Sequence, residues 1–323
     1  MKETTTVSNE EWRRHDSPFF TIITPIYNRR NTIRRTLKSV DLQSFRDIEY
    51  IIVDDGSTES CDDIIEEYMG LTTLPVLYIK KENGGVHTAR NMGYRYANGK
   101  LLLCIDSDDE LTPDACQIFH DAWFNIPKDL KEYYWQIKGL CVDQEGSLIS
   151  QEFPENINTM GNNKARQYFS FSIGERFGCR VTRILKENPF PEPVDVKFIE
   201  EDILWTKLEK EYLSYGINSV VRVYHKEGND HLSGRGKKTI QTCKNAFWNS
   251  SYKLDQYQLY FSNIKSFLLA LVRYQIMEHI LKQTDPVFVS NNKVNKPGIR
   301  VLLFFLWLPG LIVSRVYKYK MMQ

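Results

Sequence analysis

Short apolar runs alternate with polar, glycine-bearing stretches over the first third of the chain. Phe19 to Ile26 (FFTIITPI), Ile48 to Val53, Val76 to Ile79 and Leu101 to Asp106 have the length and bulk of buried strands. Between them, Thr32 to Leu42, Asp62 to Met69 and Val86 to Ala97 carry apolar residues at helical spacing. Asn31 is placed to cap the first of these helices, and Asn98-Gly99 to close the last. Strand and helix in alternation predict right-handed βαβ units: an α/β fold with a mostly parallel sheet and flanking helices. Ligands of such sheets bind beyond the carboxyl ends of the strands.

The second half patterns differently. Tyr133 to Val142 and Leu148 to Gln151 predict a hairpin around Gln144-Glu145-Gly146. Asn156 to Lys164 reads as a mobile loop. Cys179 to Leu185 and Ser219 to Tyr224 read as strands, and Ile203 to Tyr215 as a helix. Thr239 to Lys282 is helical in pattern, up to a stop at Asp285-Pro286. The expected organisation is a polar, poorly ordered arm (1–18), an α/β domain (19–230) and a C-terminal helical extension (231–323). The apolar run from Val301 to Val313 falls short of the ~20 residues needed to span a bilayer. Pro309-Gly310 also interrupts it. Its flanks, Arg300, Arg315, Lys318 and Lys320 with Trp307 and Tyr317, suit a segment lying at a membrane surface. The alternative is a helix docked on the protein body.

Composition narrows the picture in three ways. A net charge of +1 argues against nucleic acid as a partner. Six scattered cysteines with no C-x-x-C pair fit reduced thiols and a cytosolic address. No apolar leader precedes the first strand, so no signal peptide is expected.

The chemistry concentrates at Leu101 to Leu111, LLLCIDSDDEL. A buried strand running into Asp106, Asp108 and Asp109 gathers like charges that resist ionising together. Asp106 and Asp108 fall on one side of an extended segment, where their hard oxygens suit Mg²⁺ or Mn²⁺. The alternative is an acidic turn capping the next helix through Thr112 or Asp109, with Pro113 in the first turn.

Four segments then stand in order: TIITPIYN (Thr21 to Asn28), IIVDDGST (Ile51 to Thr58), ENGGVHTARNMG (Glu82 to Gly93) and IDSDDEL (Ile105 to Leu111). EED (Glu200 to Asp202) follows about a hundred residues later. Together they resemble family 2 of the inverting glycosyltransferases, over about Phe19 to Tyr224. The resemblance is diffuse between Trp123 and Phe198. It implies a GT-A fold and transfer of a sugar from a nucleotide-sugar to an acceptor hydroxyl, with inversion.

Within that frame, Pro25 and Tyr27 are placed to hold a nucleobase, with Tyr27 as a packed aromatic the alternative. Asp55 matches the family's uracil-binding aspartate, with Asp54 as its competitor. Asn83 and Gly84 let backbone approach the ligand. Arg90, in A-R-N-x-G, braces the acidic site or is a surface residue. The resemblance makes Asp106 a ribose or metal contact and Asp108 a metal ligand. Asp202 matches the family's catalytic base, with Glu201 as competitor and a capping pair as the alternative. His225 is a candidate late metal ligand, where the family often has Arg, and His231 is another.

The expected cofactor is Mn²⁺ or Mg²⁺. The expected donor is a UDP-hexose, and the acceptor a saccharide, free or polyprenyl-linked, in assembly of a bacterial surface polysaccharide. The expected location is the inner face of the cell membrane, in peripheral contact through the tail. A dehydrogenase is excluded, because no G-x-G-x-x-G follows the first strand. A sugar-nucleotide nucleotidyltransferase and a non-catalytic sugar- or nucleotide-binding module remain as competing readings.

Overall fold

The computed structural model describes residues 4–159, 164–165, 168–169, 174–226, 239–260 and 264–305. The expectations for 160–163, His231, the segment 227–238 and the tail beyond 305 lie outside the described residues. The chain divides into two compact units, one of residues 1–190 and 208–227 and one of 191–207 and 228–323.

The first unit is built on one sheet. Its elements begin with β1 (Thr5–Ser8), α1 (Glu10–Arg14), β2 (Phe20–Ile26), α2 (Ile33–Asp41), β3 (Ile48–Asp54) and α3 (Asp62–Leu71). They continue with β4 (Val76–Lys80), α4 (Val86–Tyr96), β5 (Leu101–Cys104), β6 (Glu110–Leu111) and α5 (Ala115–Asn125). Then come β7 (Tyr134–Asp143), β8 (Arg176–Val181), α6 (Thr182–Glu187), α7 (Asp202–Glu211), whose residues up to Lys207 belong to the second unit, and β9 (Leu213–Tyr224). The strand order is β1-β4-β3-β2-β5-β8-β7-β9-β6.

Strands β4, β3, β2 and β5 run parallel, as the alternating pattern predicts. Beyond β5 the sheet turns mixed: β8 is antiparallel to both β5 and β7, β9 is parallel to β7, and β6 is antiparallel to β9. The mostly parallel sheet therefore holds only for the first half, where helical crossovers connect the strands. β2 and β3 are buried along their whole length, because helices cover both faces of the sheet there.

Several boundaries depart from the sequence pattern. The arm is ordered: β1 pairs with the edge strand β4, and the Asn9 side chain caps α1 through Trp12 N (3.0 Å). Asn9 also donates to Leu74 O at 2.8 Å. An open sheet edge is a liability, and this short strand covers it. The hairpin partner Leu148 to Gln151 contributes only isolated bridges. The stretch from Cys179 to Leu185 breaks into the end of β8 and the start of α6. The helix expected to reach Tyr215 stops at Glu211, and the next strand starts six residues earlier than Ser219, at Leu213.

One buried carboxylate ties several of these pieces together. Glu49, fully buried in β3, accepts from Thr21 Oγ1 (2.6 Å), Asn98 N (2.5 Å) and Gly99 N (3.2 Å). His15 Nε2, from the arm, lies 2.6 Å from its other oxygen. Gly99 packs so closely on β2 that a Cβ there would sit 2.4 Å from Thr21 N.

The second unit is helical where described: α8 (Ile240–Asp255), α9 (Tyr257–Tyr260), α10 (Ile264–Thr284), α11 (Pro286–Asn292) and α12 (Pro297–Phe305), with the segment 191–207. Asp285-Pro286 does not end the helical region. Asp285 caps α11 by accepting from Phe288 N (3.0 Å), and Pro286 occupies its first turn. Among the described residues no helix is long and apolar enough to cross a membrane.

Glu49→Ala should leave the buried Thr21 hydroxyl and the Asn98 N–H without their acceptor, while the Gly99 N–H keeps Thr21 Oγ1 at 2.8 Å. We expect a loss of about 3 kcal/mol of unfolding free energy, read from urea denaturation.

Candidate functional site

The carboxyl ends of β2, β3 and β5 and the start of α4 bring the predicted residues together. After β2, Tyr27 stands 44% exposed, so it is not a core aromatic, whereas Pro25 is buried within the strand. Asn28 takes a positive φ of 53°. Its side-chain oxygen Oδ1 accepts from Thr58 N (2.8 Å) and Glu59 N (3.1 Å), and its backbone N–H donates to Ser57 Oγ (3.0 Å). The loop after β2 is thereby clamped to the loop after β3.

Asp54 and Asp55, both buried, divide the work at the end of β3. Asp54 accepts from Ser57 N (2.8 Å) and from the Tyr78 hydroxyl (3.2 Å), which fixes the turn. Asp55 accepts from Gly84 N (2.9 Å), Gly85 N (2.7 Å), Asn83 Nδ2 (3.3 Å) and Lys81 Nζ (2.5 Å). A carboxylate offers about four lone-pair sites, and these donors fill them. Two glycines permit this geometry. Gly85 adopts φ 99° as the residue before α4, and Gly56 adopts φ 74° where a Cβ would meet Asn83 N at 2.6 Å.

On α4, Arg90 is buried and its Nη2 reaches Asp106 Oδ1 at 3.1 Å, the brace expected from the sequence. Its neighbour Asn91 exchanges two hydrogen bonds with the backbone of Phe190, at 2.8 and 2.9 Å. The turn Asp106 to Asp109 follows β5, closed by Asp109 N donating to Asp106 O (3.1 Å). The Asp106 side chain is 45% exposed. Arg29 Nη2 lies 3.8 Å from Asp108 Oδ2. Guanidinium groups thus face both carboxylates of the D-x-D.

The alternative reading of this turn, a helix cap, does not hold. The residue before α5 is Asp114, and neither Thr112 nor Asp109 caps that helix. Asp109 is instead buried, accepting from His225 N (3.0 Å), with Arg222 Nη1 3.6 Å away. Burial pushes its carboxyl up to about 7 against the pull of Arg222 and the His225 N–H. His225 Nε2 lies 2.7 Å from Glu110 Oε1, and no hydrogen bond reaches its Nδ1 from the described residues.

Among the described residues no three His, Cys, Asp or Glu side chains stand together as metal ligands, so His225 does not join Asp106 and Asp108 in one cluster. The donor set still suits a hard divalent cation. Mg²⁺ is commonly held by one or two carboxylates plus substrate phosphates and waters, which is what Asp106 and Asp108 offer.

The EED segment lies in the second unit. Glu200 accepts from Lys253 Nζ (2.5 Å) and Arg273 Nη1 (2.6 Å). Asp202 Oδ2 accepts from the same Lys253 Nζ at 2.6 Å. Glu201 accepts from its neighbour Trp205 Nε1 (3.0 Å), one helical turn on. Sequence reasoning passed over Lys81, Asn28, Asn91 and Lys253. Asn28 and Asn91 lie inside the quoted motifs, whereas the partners of Lys81 and Lys253 become visible only in three dimensions.

The comparisons with known proteins agree with this geometry. Residues 21–131 match the family model Glycosyl transferase family 2. The chain is 26% identical to the GalNAc(5)-diNAcBac-PP-undecaprenol beta-1,3-glucosyltransferase of Campylobacter jejuni, over 71% of this chain and 70% of the relative. It spans only 16, 29 and 44% of three other curated relatives. TarS 1-349 of S. aureus, in complex with UDP-GlcNAc, superposes with TM-score 0.54 at 19% identity, covering 93% of this chain and 91% of that one. The mannosyltransferase PcManGT of Pyrobaculum calidifontis, in complex with GDP-Man and Mn²⁺, gives TM-score 0.54 at 15% identity, covering 96 and 90%.

Gly56→Ala should strain the backbone and push apart the loops that Asp55 joins. The expected cost is about 2 kcal/mol or more in urea unfolding, with weaker binding of any ligand held by those loops. With the motifs assembled at the carboxyl edge of this sheet, the chain carries a glycosyl transferase family 2 domain over residues 21–131 and has the GT-A fold.

Proposed function

We propose that the protein is an inverting glycosyltransferase that moves a sugar from a nucleoside diphosphate, UDP by preference, to a hydroxyl of a saccharide or polyprenyl-linked saccharide. The observation that carries this reading is the convergence of the Asp55-held glycine loop, Arg90 and the D-x-D on one edge of a family 2 domain. Tyr27 offers an exposed ring to the nucleobase. Among the donors on Asp55, the flexible Lys81 ammonium is the one that a base N–H can replace, freeing it to turn toward phosphate. Asp106 and Asp108 would hold Mn²⁺ or Mg²⁺, which would supply positive charge against the departing diphosphate. Arg29 and Arg90 hold the two carboxylates in place between cycles.

The acceptor oxygen attacks the anomeric carbon as the bond to the diphosphate oxygen breaks, and the nucleotide leaves with the electron pair. Asp202 takes the acceptor proton. Glu201 is the weaker candidate, because its carboxylate is already held by Trp205.

A role in bacterial surface glycan assembly follows from the company the chain keeps, including the relative whose name specifies an undecaprenol-linked acceptor. Ile264, Leu268 and Val272 recur at one-turn spacing along α10 and are all exposed, as are Val301 and Phe304 on α12. Exposed apolar stripes with basic residues beside them favour a peripheral seat on the inner leaflet.

Thermal melting against UDP, GDP and dTDP sugars, with Mn²⁺ and with chelator, tests the donor site. A ligand that binds only the native state at a hundred times its Kd stabilises by about 2.7 kcal/mol. We expect a metal-dependent shift with a UDP-sugar that Asp108→Ala abolishes. A well-folded protein that shifts with no nucleotide would move the assignment to a non-catalytic module. Flotation with vesicles containing anionic lipid tests the membrane reading. Leu268→Glu with Val272→Glu should reduce the bound fraction severalfold, and an unchanged fraction would sink that part.

A further inference from the structure

The segment 191–207 carries the proposed base, and the helices of its own unit determine what that base can do. Asp202 opens α7 as a partly exposed side chain, yet its two oxygens differ sharply. Oδ2 receives the Lys253 ammonium at 2.6 Å. Oδ1 is shielded from solvent and takes no hydrogen bond from the described residues. Lys253 comes from the middle of α8 and is itself 9% exposed at the side chain. It spans two carboxylates, Glu200 and Asp202, while Arg273 from α10 takes the other oxygen of Glu200. Tyr260 of α9 lies beneath, with the ammonium 5.7 Å from its ring centre. The backbone is fixed as well: Asn249, one turn before Lys253, accepts from Glu200 N (2.9 Å) and donates to Phe198 O (2.9 Å).

Resting on the reading of Asp202 as the base, we infer that Lys253 is its positioning residue. The ammonium holds Oδ2 and so fixes how the carboxylate is presented at the start of α7.

The charges around Asp202 act in opposite directions. Burial lifts the Asp202 carboxyl above the ordinary range, Lys253 and Arg273 pull it down, and Glu200 pushes it up. Glu200 is the stronger competitor for the cations. Burial raises it too, but Lys253 and Arg273 outweigh that and hold it below the usual range. Lys253 is therefore a shared counter-ion, and the share that reaches Asp202 depends on Glu200. Arg273 reaches only Glu200 among the hydrogen bonds here, which keeps part of Lys253 for Asp202. A carboxylate raised above the ordinary range is better matched to taking a hydroxyl proton than a free aspartate.

The test is the titration of the Asp202 carboxyl itself, followed by carbon-13 NMR in protein labelled at aspartate. The signal is identified by its disappearance in Asp202→Asn, and no ligand is needed. Lys253→Met should move the titration up by one unit or more, because a single opposite charge at this range is worth about one to three units. Lys253→Arg should restore most of it. Glu200→Gln should move it down, since a like charge is lost and Lys253 is released to Asp202. If Lys253→Met fails to fold, the direction seen in Glu200→Gln decides alone. No movement, or movement in the reverse sense, overturns the assignment.

A separate measurement checks the base reading: nucleotide release from UDP-, GDP- and dTDP-sugars by Asp202→Asn. A loss of about a hundredfold or more supports it. Full turnover in that variant would remove Asp202 as base, whatever the titration of Lys253→Met shows.

Discussion

One buried anion, Asp55, organises the ligand edge of the sheet. It ends β3, yet its acceptors are filled by the backbone and side chains of the loop that leads into α4. That places the glycine-rich loop, the start of α4 and the end of β3 in one rigid arrangement. Arg90 and Asn91 then project from a helix whose first turn is already fixed. Arg90 meets the first aspartate of the D-x-D, and Asn91 holds the backbone at Phe190. Removing a carboxylate from water is costly unless donors replace the solvent, so each of these contacts is close to obligatory. Glu49 does the same work at the other end of β3, joining the turn after α4 to β2 and to the N-terminal arm.

The parallel half of the fold was legible because its signals are local. Strand-length apolar runs, glycine breaks and helical spacing each lie within a dozen residues. The mixed half was not. β8 and β9 find partners far away in sequence, and their pairing is decided by which edge β5 and β7 leave open. The segment Leu213 to Ile217 carried too weak an alternation to be told from the end of a helix. The arm was misread for a related reason: its residues are polar, and its order comes from hydrogen bonds to β4 and Glu49 rather than from an apolar face.

The site shows the same division. Asp55, Arg90 and the D-x-D stand out because carboxylates and glycines cluster in motifs. Which of Asp54 and Asp55 faces which partner is a question of strand register, and the two prove to hold different loops. His225 drew notice as a metal-binding residue type, but its surroundings tie its ring to Glu110 and its backbone to the buried Asp109. Residue type proposes a role, and the available partners decide it.

The two acidic centres also differ in how their charge is balanced. Asp106 and Asp108 face guanidinium groups at 3.1 and 3.8 Å, the second too long for a hydrogen bond. Contacts of that kind orient a carboxylate while leaving oxygens to an incoming cation. Asp202 has an ammonium at hydrogen-bond distance on one oxygen and nothing described on the other. A guanidinium cannot give up its proton in a protein and spreads its charge over a plane, which suits a fixed brace. An ammonium is a compact point charge that can be divided between two carboxylates, as Lys253 is between Glu200 and Asp202. Arginine thus stands beside Asp106 and Asp108, and lysine beside Asp202. Under the proposed function, the first pairing would leave oxygens for a cation, and the second would hold in place the carboxylate that takes the acceptor proton.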